Sequence, residues 1–145
     1  AWGGPPTHKG DGDFYWWVWM YGATKQPAEK LVPVARGWLK APRISGKNFT
    51  GRYDLTQRCY VVSPEDPGRT QSLRFSLEAS PENPILNPAF VVENWGKRGV
   101  SARLDGREIR RGKDYRIGYV RRINRYDLVL WMELQSTSPA SIELR

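Results

Sequence analysis

The sequence predicts an all-β protein built as a single antiparallel β-sandwich, and three observations carry that expectation. Apolar residues recur with a period of two in several short segments, as in Leu73, Phe75 and Leu77 alternating with Arg74, Ser76 and Glu78, the pattern of a strand with one buried and one wet face. Turn-forming residues return about every ten positions. Helical periodicity is nearly absent, and the 145 residues suit one domain with a core of its own.

The elements follow in chain order. Ala1 to Asp13 holds four Gly and two Pro and reads as a linker or arm, leaving residues 14–145 for the module. Phe14 to Tyr21 reads as a strand. Pro27 to Leu39 has a usable helix start at Pro27-Ala28-Glu29, but Pro33 and Gly37 interrupt it, so at most one or two turns are expected there. Further strands are expected at Gln57 to Ser63, Ser72 to Glu78, Ala89 to Asn94, Val100 to Leu104, Tyr115 to Val120, Leu128 to Gln135 and Ser141 to Leu144. Asp105-Gly106 signals a two-residue hairpin leading into the short Arg107 to Ile109. A second hairpin turns at Ile123 to Tyr126. Pro-rich connections such as Ser80-Pro81-Glu82-Asn83-Pro84 separate the strands. About eight strands of this kind fit a jelly-roll or immunoglobulin-like sandwich.

Charge is concentrated in one part of the chain. The net charge is +8, from 23 Lys plus Arg against 15 Asp plus Glu. Residues 97–125 hold eleven basic and three acidic residues, the entire excess, and the rest of the chain is neutral. That segment implies an anionic partner; the alternative is a solvated, arginine-rich face that serves solubility. The abrupt closing strand and the Gly-rich start read as the ends of a piece of a longer polypeptide, and no signal-peptide pattern stands at the start. No apolar run approaches the ~20 residues of a spanning helix, so no membrane partner is expected. A single cysteine, Cys59, excludes an internal disulfide and a cysteine-based zinc site.

Catalytic equipment is sparse. His8 is the one histidine and lies in the Gly-rich arm, a poor place for the base of a nucleophilic triad. Phosphate-loop and dinucleotide signatures are missing. Glu93 and Glu133 are the strand acids flanked by large apolar residues; they are read as partners of arginines on neighbouring strands in preference to a glycosidase pair. A lyase built on Tyr119, Tyr126 and nearby arginines stays open as an alternative. Gly10-Asp11-Gly12-Asp13 lacks the spacing of a helix-loop-helix calcium site. No cofactor is expected, and a structural calcium ion is left undecided.

Two clusters remain as candidate surfaces. Phe14-Tyr15-Trp16-Trp17-Val18-Trp19-Met20-Tyr21 is uncharged and reads as covered core or as an aromatic platform for sugar rings. The second joins a polar turn, with an exposed-looking Trp95 and Arg98, to a hairpin carrying Tyr119, Arg121, Arg122, Arg125 and Tyr126. Guanidinium forks suit carboxylate or sulfate oxygens, and adjacent aromatics suit sugar rings. These seven residues are the candidate ligand-binding set. Single-stranded nucleic acid is the weaker alternative, because no nucleic-acid module signature accompanies them.

The segments Leu104-Asp105-Gly106-Arg107-Glu108-Ile109, Arg111-Gly112-Lys113-Asp114-Tyr115-Arg116, Leu128-Val129-Leu130-Trp131-Met132-Glu133-Leu134 and Pro139-Ala140-Ser141-Ile142-Glu143-Leu144 together resemble the C-terminal β-sandwich carbohydrate-binding modules of secreted polysaccharide-degrading enzymes. The resemblance covers roughly the last 55 residues. It implies a non-catalytic accessory domain, extracellular or periplasmic, in one polypeptide with a glycoside hydrolase or polysaccharide lyase. Combined with the charge, the expected ligand is an anionic polysaccharide, sulfated or uronic. The alternative in another class is a structural sandwich that packs on a catalytic domain and binds no glycan.

Overall fold

The computed structural model describes residues 27–67 and 72–145. The expected arm at 1–13, the strand Phe14 to Tyr21, His8 and the Gly10 to Asp13 turn lie outside the described residues. One helix, α1 (Ala28–Leu39), opens the described chain, longer than the one or two turns expected. The Pro27 carbonyl accepts from the amides of Lys30 at 2.9 Å and Leu31 at 3.3 Å, while Glu29 in the first turn and Arg36 in the last complement the helix dipole. The helix runs on through positions 33 and 37, where an interruption was expected.

Every strand among the described residues belongs to the compact unit Pro33–Arg145. The strands are β1 (Arg43–Gly46), β2 (Phe49–Asp54), β3 (Cys59–Pro64), β4 (Leu73–Glu78), β5 (Ile85–Leu86), β6 (Ala89–Val92), β7 (Ala102–Leu104), β8 (Arg107–Ile109), β9 (Tyr115–Arg121), β10 (Tyr126–Met132), β11 (Gln135–Ser136) and β12 (Ala140–Leu144). Sheet I runs β1-β4-β12-β7-β8 and sheet II runs β2-β3-β6-β10-β9, with a small β11-β5 pair beside them. The all-β sandwich is therefore as expected, with about twelve strands in place of eight. β1, β2, β5 and β11 are the additions, and Gln135 starts a separate strand. One pairing breaks the antiparallel rule: β3 and β6 lie parallel, with Tyr60, Val61 and Val62 opposite Phe90, Val91 and Val92.

The core lies between the sheets. Leu73, Phe75 and Leu77 of β4 and Ala140, Ile142 and Leu144 of β12 meet Tyr60, Val62, Phe90, Val92, Leu128, Leu130 and Met132 from sheet II. The Phe75 and Phe90 rings join the two layers at 5.0 Å between centroids. Cys59 is buried, as a small apolar side chain is, and its burial pushes the thiol pKa up.

Alternation fixes the outward faces. Because Leu128, Leu130 and Met132 point into the core, Asp127, Val129 and Trp131 point away from it. On β9, opposite them, Arg116 faces Trp131, Gly118 faces Val129 and Val120 faces Asp127. In sheet I the outward row sets Arg74 beside Glu143 and Glu143 beside Arg103. The Arg145 hydrogen bond, with help from Arg74, holds the Glu143 carboxyl below its ordinary pKa.

The basic segment splits between the layers in consequence. Arg103 and Arg107 belong to sheet I, Arg116 and Arg121 to sheet II, and Arg110, Arg111 and Lys113 to the crossover between them. Both β8 and β9 are terminal strands of their sheets. The sequence excess thus becomes one basic lateral edge with a cationic tip.

Candidate functional site

The tip is the β9–β10 hairpin with the loop that follows β6. Arg121 and Tyr126 are the last paired residues, and the Arg122 amide donates to the Arg125 carbonyl at 2.8 Å to close a four-residue turn. This places the hairpin one residue earlier than the Ile123 to Tyr126 reading. Asn94 and Gly96 adopt φ of 53° and 82°, which bends the chain back over the end of the sandwich. There the Gly96 amide donates to the Tyr126 carbonyl at 3.0 Å.

Asp127 organises this end. It is 0 % exposed, yet it stays a carboxylate. Its Oδ1 accepts from the Asn94 amide at 2.9 Å and forms an ion pair with Arg125 Nε at 3.1 Å, and its Oδ2 accepts from Arg122 Nε at 2.9 Å. Burial pushes the pKa up, but the Asn94 amide, the Arg122 hydrogen bond and the charges of Arg125 and Arg122 outweigh it, so the net shift is downward. Arg125 also reaches Glu93 Oε1 through Nη2 at 3.0 Å, and Glu93 accepts from the Ser63 hydroxyl. Two arginines and two carboxylates thereby form one network from β3 to the hairpin tip.

All seven candidate residues gather at this end, in different roles. Arg121, Arg122 and Arg125 are exposed and, with Asn94, Ile123 and Asn124, line a shallow depression of about 780 Å³. Arg121 has no carboxylate partner among the described residues. Trp95 corrects the expectation of an exposed ring: it is 3 % exposed and packs in the core cluster, with the Arg98 guanidinium 3.9 Å from its ring centroid. Tyr119 is half-buried against the core, and its hydroxyl donates to the Arg98 carbonyl. Tyr126 is half-buried, with Lys97 Nζ 5.9 Å above its ring. Trp95 and Tyr119 therefore brace the loop and offer no open stacking face.

The two strand acids part company. Glu93 pairs with an arginine, as its setting suggested, whereas Glu133 is exposed with no cation partner among the described residues. Sequence reasoning missed Asp127, Asn94, Ser63 and Lys97. Asp127 carried a signal: a charge inside Tyr126-Asp127-Leu128-Val129-Leu130, one step from the core phase, needs a partner. Among the described residues no three His, Cys, Asp or Glu side chains stand together to hold a metal ion.

The chemistry on offer is anion recognition. The guanidinium groups of the exposed Arg122 and Arg125 are held in fixed directions by Asp127 and Glu93, and Arg121 and Lys97 add charge with no carboxylate partner among the described residues. No protein-family model, curated protein or solved structure matches the chain.

Proposed function

We propose that the module binds an anionic polysaccharide, sulfated or uronic, through the β9–β10 tip, and serves as a non-catalytic accessory domain of an extracellular glycan-degrading enzyme. The observation that supports this reading most directly is the buttressed arginine pair. Arg122 and Arg125 sit on a buried Asp127, so their orientation is set before a ligand arrives and little side-chain entropy remains to be lost. With Lys97, Arg98 and Arg121 the tip holds five cations against Glu93 and Asp127. In this reading Arg121, Arg122, Arg125 and Lys97 meet sulfate or carboxylate oxygens, and the Tyr126 edge supplies the ring contact.

A second reading has its own support, since Trp95 is buried and two arginines already have carboxylate partners: the tip is a brace within a structural module that binds no glycan. Affinity electrophoresis of the chain through gels containing dextran sulfate, polygalacturonate or neutral dextran separates the two. Retardation by the acidic polymers that fades as salt rises supports the first, because exposed ion pairs are screened over ~8–10 Å at physiological ionic strength. Equal mobility in every gel overturns it in favour of the brace.

A further inference from the structure

Gly118 is the central residue of β9, and nothing in the fold asks for a glycine there. It is not among the residues with positive φ. The register runs unbroken from Tyr119 opposite Leu128 to Ile117 opposite Leu130, so it marks no bulge. A Cβ built on it meets nothing within 4 Å. A glycine inside a strand weakens the strand, and where no bulge or bend requires one, the remaining use is close approach by a ligand or another backbone.

The surroundings say what kind of ligand. On the outward face of sheet II, Gly118 is flanked along β9 by the exposed Arg116 and Val120 and faces Val129 across the ladder. Arg116 lies over the Trp131 ring at 5.5 Å from the centroid, which bounds one side of the gap with a cation on an aromatic plane. Toward the other end stand Val120 and then Arg122, anchored on the outward-facing Asp127. Arg116 and Arg122 share this outward phase and lie at most about 20 Å apart along the chain, so the gap is the middle of a track with cations at both ends.

We propose that this gap is a sugar-ring subsite, in which a pyranose of an acidic polysaccharide lies across the bare backbone of Gly118 with its carboxylate or sulfate on Arg116. The subsite rests on the polysaccharide reading and extends it from the tip to the face of β9. It gives Arg116 and Gly118 ligand roles that the tip does not assign.

The test compares the full chain with Gly118→Val, Gly118→Ser, Arg116→Gln and a control of equal charge loss on the far edge, Arg43→Gln, in gels containing dextran sulfate or polygalacturonate. Thermal melting is run on each variant. Gly118→Val is expected to melt at or above the wild-type temperature while binding about tenfold more weakly. Gly118→Ser should fall between the two, and Arg116→Gln should lose several-fold more affinity than Arg43→Gln. Wild-type retardation that Gly118→Val and Gly118→Ser retain in full overturns the subsite and leaves the tip reading standing. A wild-type chain that no acidic polymer retards overturns both.

Discussion

The two lateral edges of the sandwich are built by opposite means. At one, β1 of sheet I passes to β2 of sheet II through Lys47 and Asn48, with Asn48 at φ 65°. Glycine is used there for closeness: a Cβ on Gly46 would collide with Phe49 Cε1 and lie 2.8 Å from the Arg74 carbonyl oxygen, and one on Gly51 would lie 2.9 Å from Ile44 Cγ2. At the other, β8 passes to β9 through Arg110–Asp114. There the Arg110 amide donates to Asp114 Oδ2 at 2.7 Å, and Gly112 and Gly118 have open space around them. The first edge is closed by apolar packing, while the second is kept open and guarded by charge. Both are accepted ways of keeping strand edges from pairing with other molecules, but the open one alone leaves backbone and cations available to a ligand.

The largest expected effect lies at the open edge's tip, where a carboxylate does what Phe49 does at the closed one. Asp127→Ala leaves Arg122, Arg125 and the Asn94 amide without their acceptor and should cost about 3 kcal/mol in urea denaturation. The same group gives the wild type an acid dependence. Because the folded pKa of Asp127 is lowered, its contribution is full above the unfolded carboxylate value of about 4 and is lost as pH falls from there through the folded pKa. Asp127→Asn should flatten that part of the stability profile; an unchanged slope would show that other carboxylates carry it.

Next in size is the closed edge. Gly46→Ala forces a methyl against a backbone oxygen that cannot move cheaply, and about 2 kcal/mol should be lost on chemical denaturation. A loss near zero would erase the contrast between the edges. The smallest expected change in stability comes from neutralising the guard. Replacing Arg107, Arg116 and Arg121 together with Thr should leave the melting temperature nearly unchanged but yield dimers or larger species on size exclusion. A triple variant that stays monomeric would mean that the charges serve something other than edge protection.

The sequence showed some of this and hid the rest for identifiable reasons. Leu73, Phe75 and Leu77 announced β4, and Asp105-Gly106 announced its hairpin, where both residues take positive φ of 49° and 79°. β1 and β2 escaped because Gly46 and Gly51 break the alternation, although those glycines are what lets the two strands approach. Two-residue strands such as β5 and β11 are too short for any period. Trp95 was misplaced because Asn94 and Gly96 look like a solvated turn, whereas their positive φ values fold the indole back under the loop. The location of the arginine cluster was legible from charge alone. Of its carboxylates, Glu93 was legible as an arginine partner, whereas Asp127 was not, since its pairing with Arg122 and Arg125 depends on how the β9–β10 hairpin closes.

The placement of β12 carries a consequence for how the chain reaches this state. It is the last strand along the sequence, yet it lies at the middle of sheet I, with β4 on one side and β7 on the other, and Ile142 there pairs with Phe75 far earlier in the chain. The parallel pairing of β3 with β6 likewise skips the strands between them. Such non-local ladders slow folding, because loops must close before contacts reward them. Sheet I therefore stays in two separate halves until Ala140–Leu144 arrives, and a ribosome must release nearly the whole module before either half gains its neighbour.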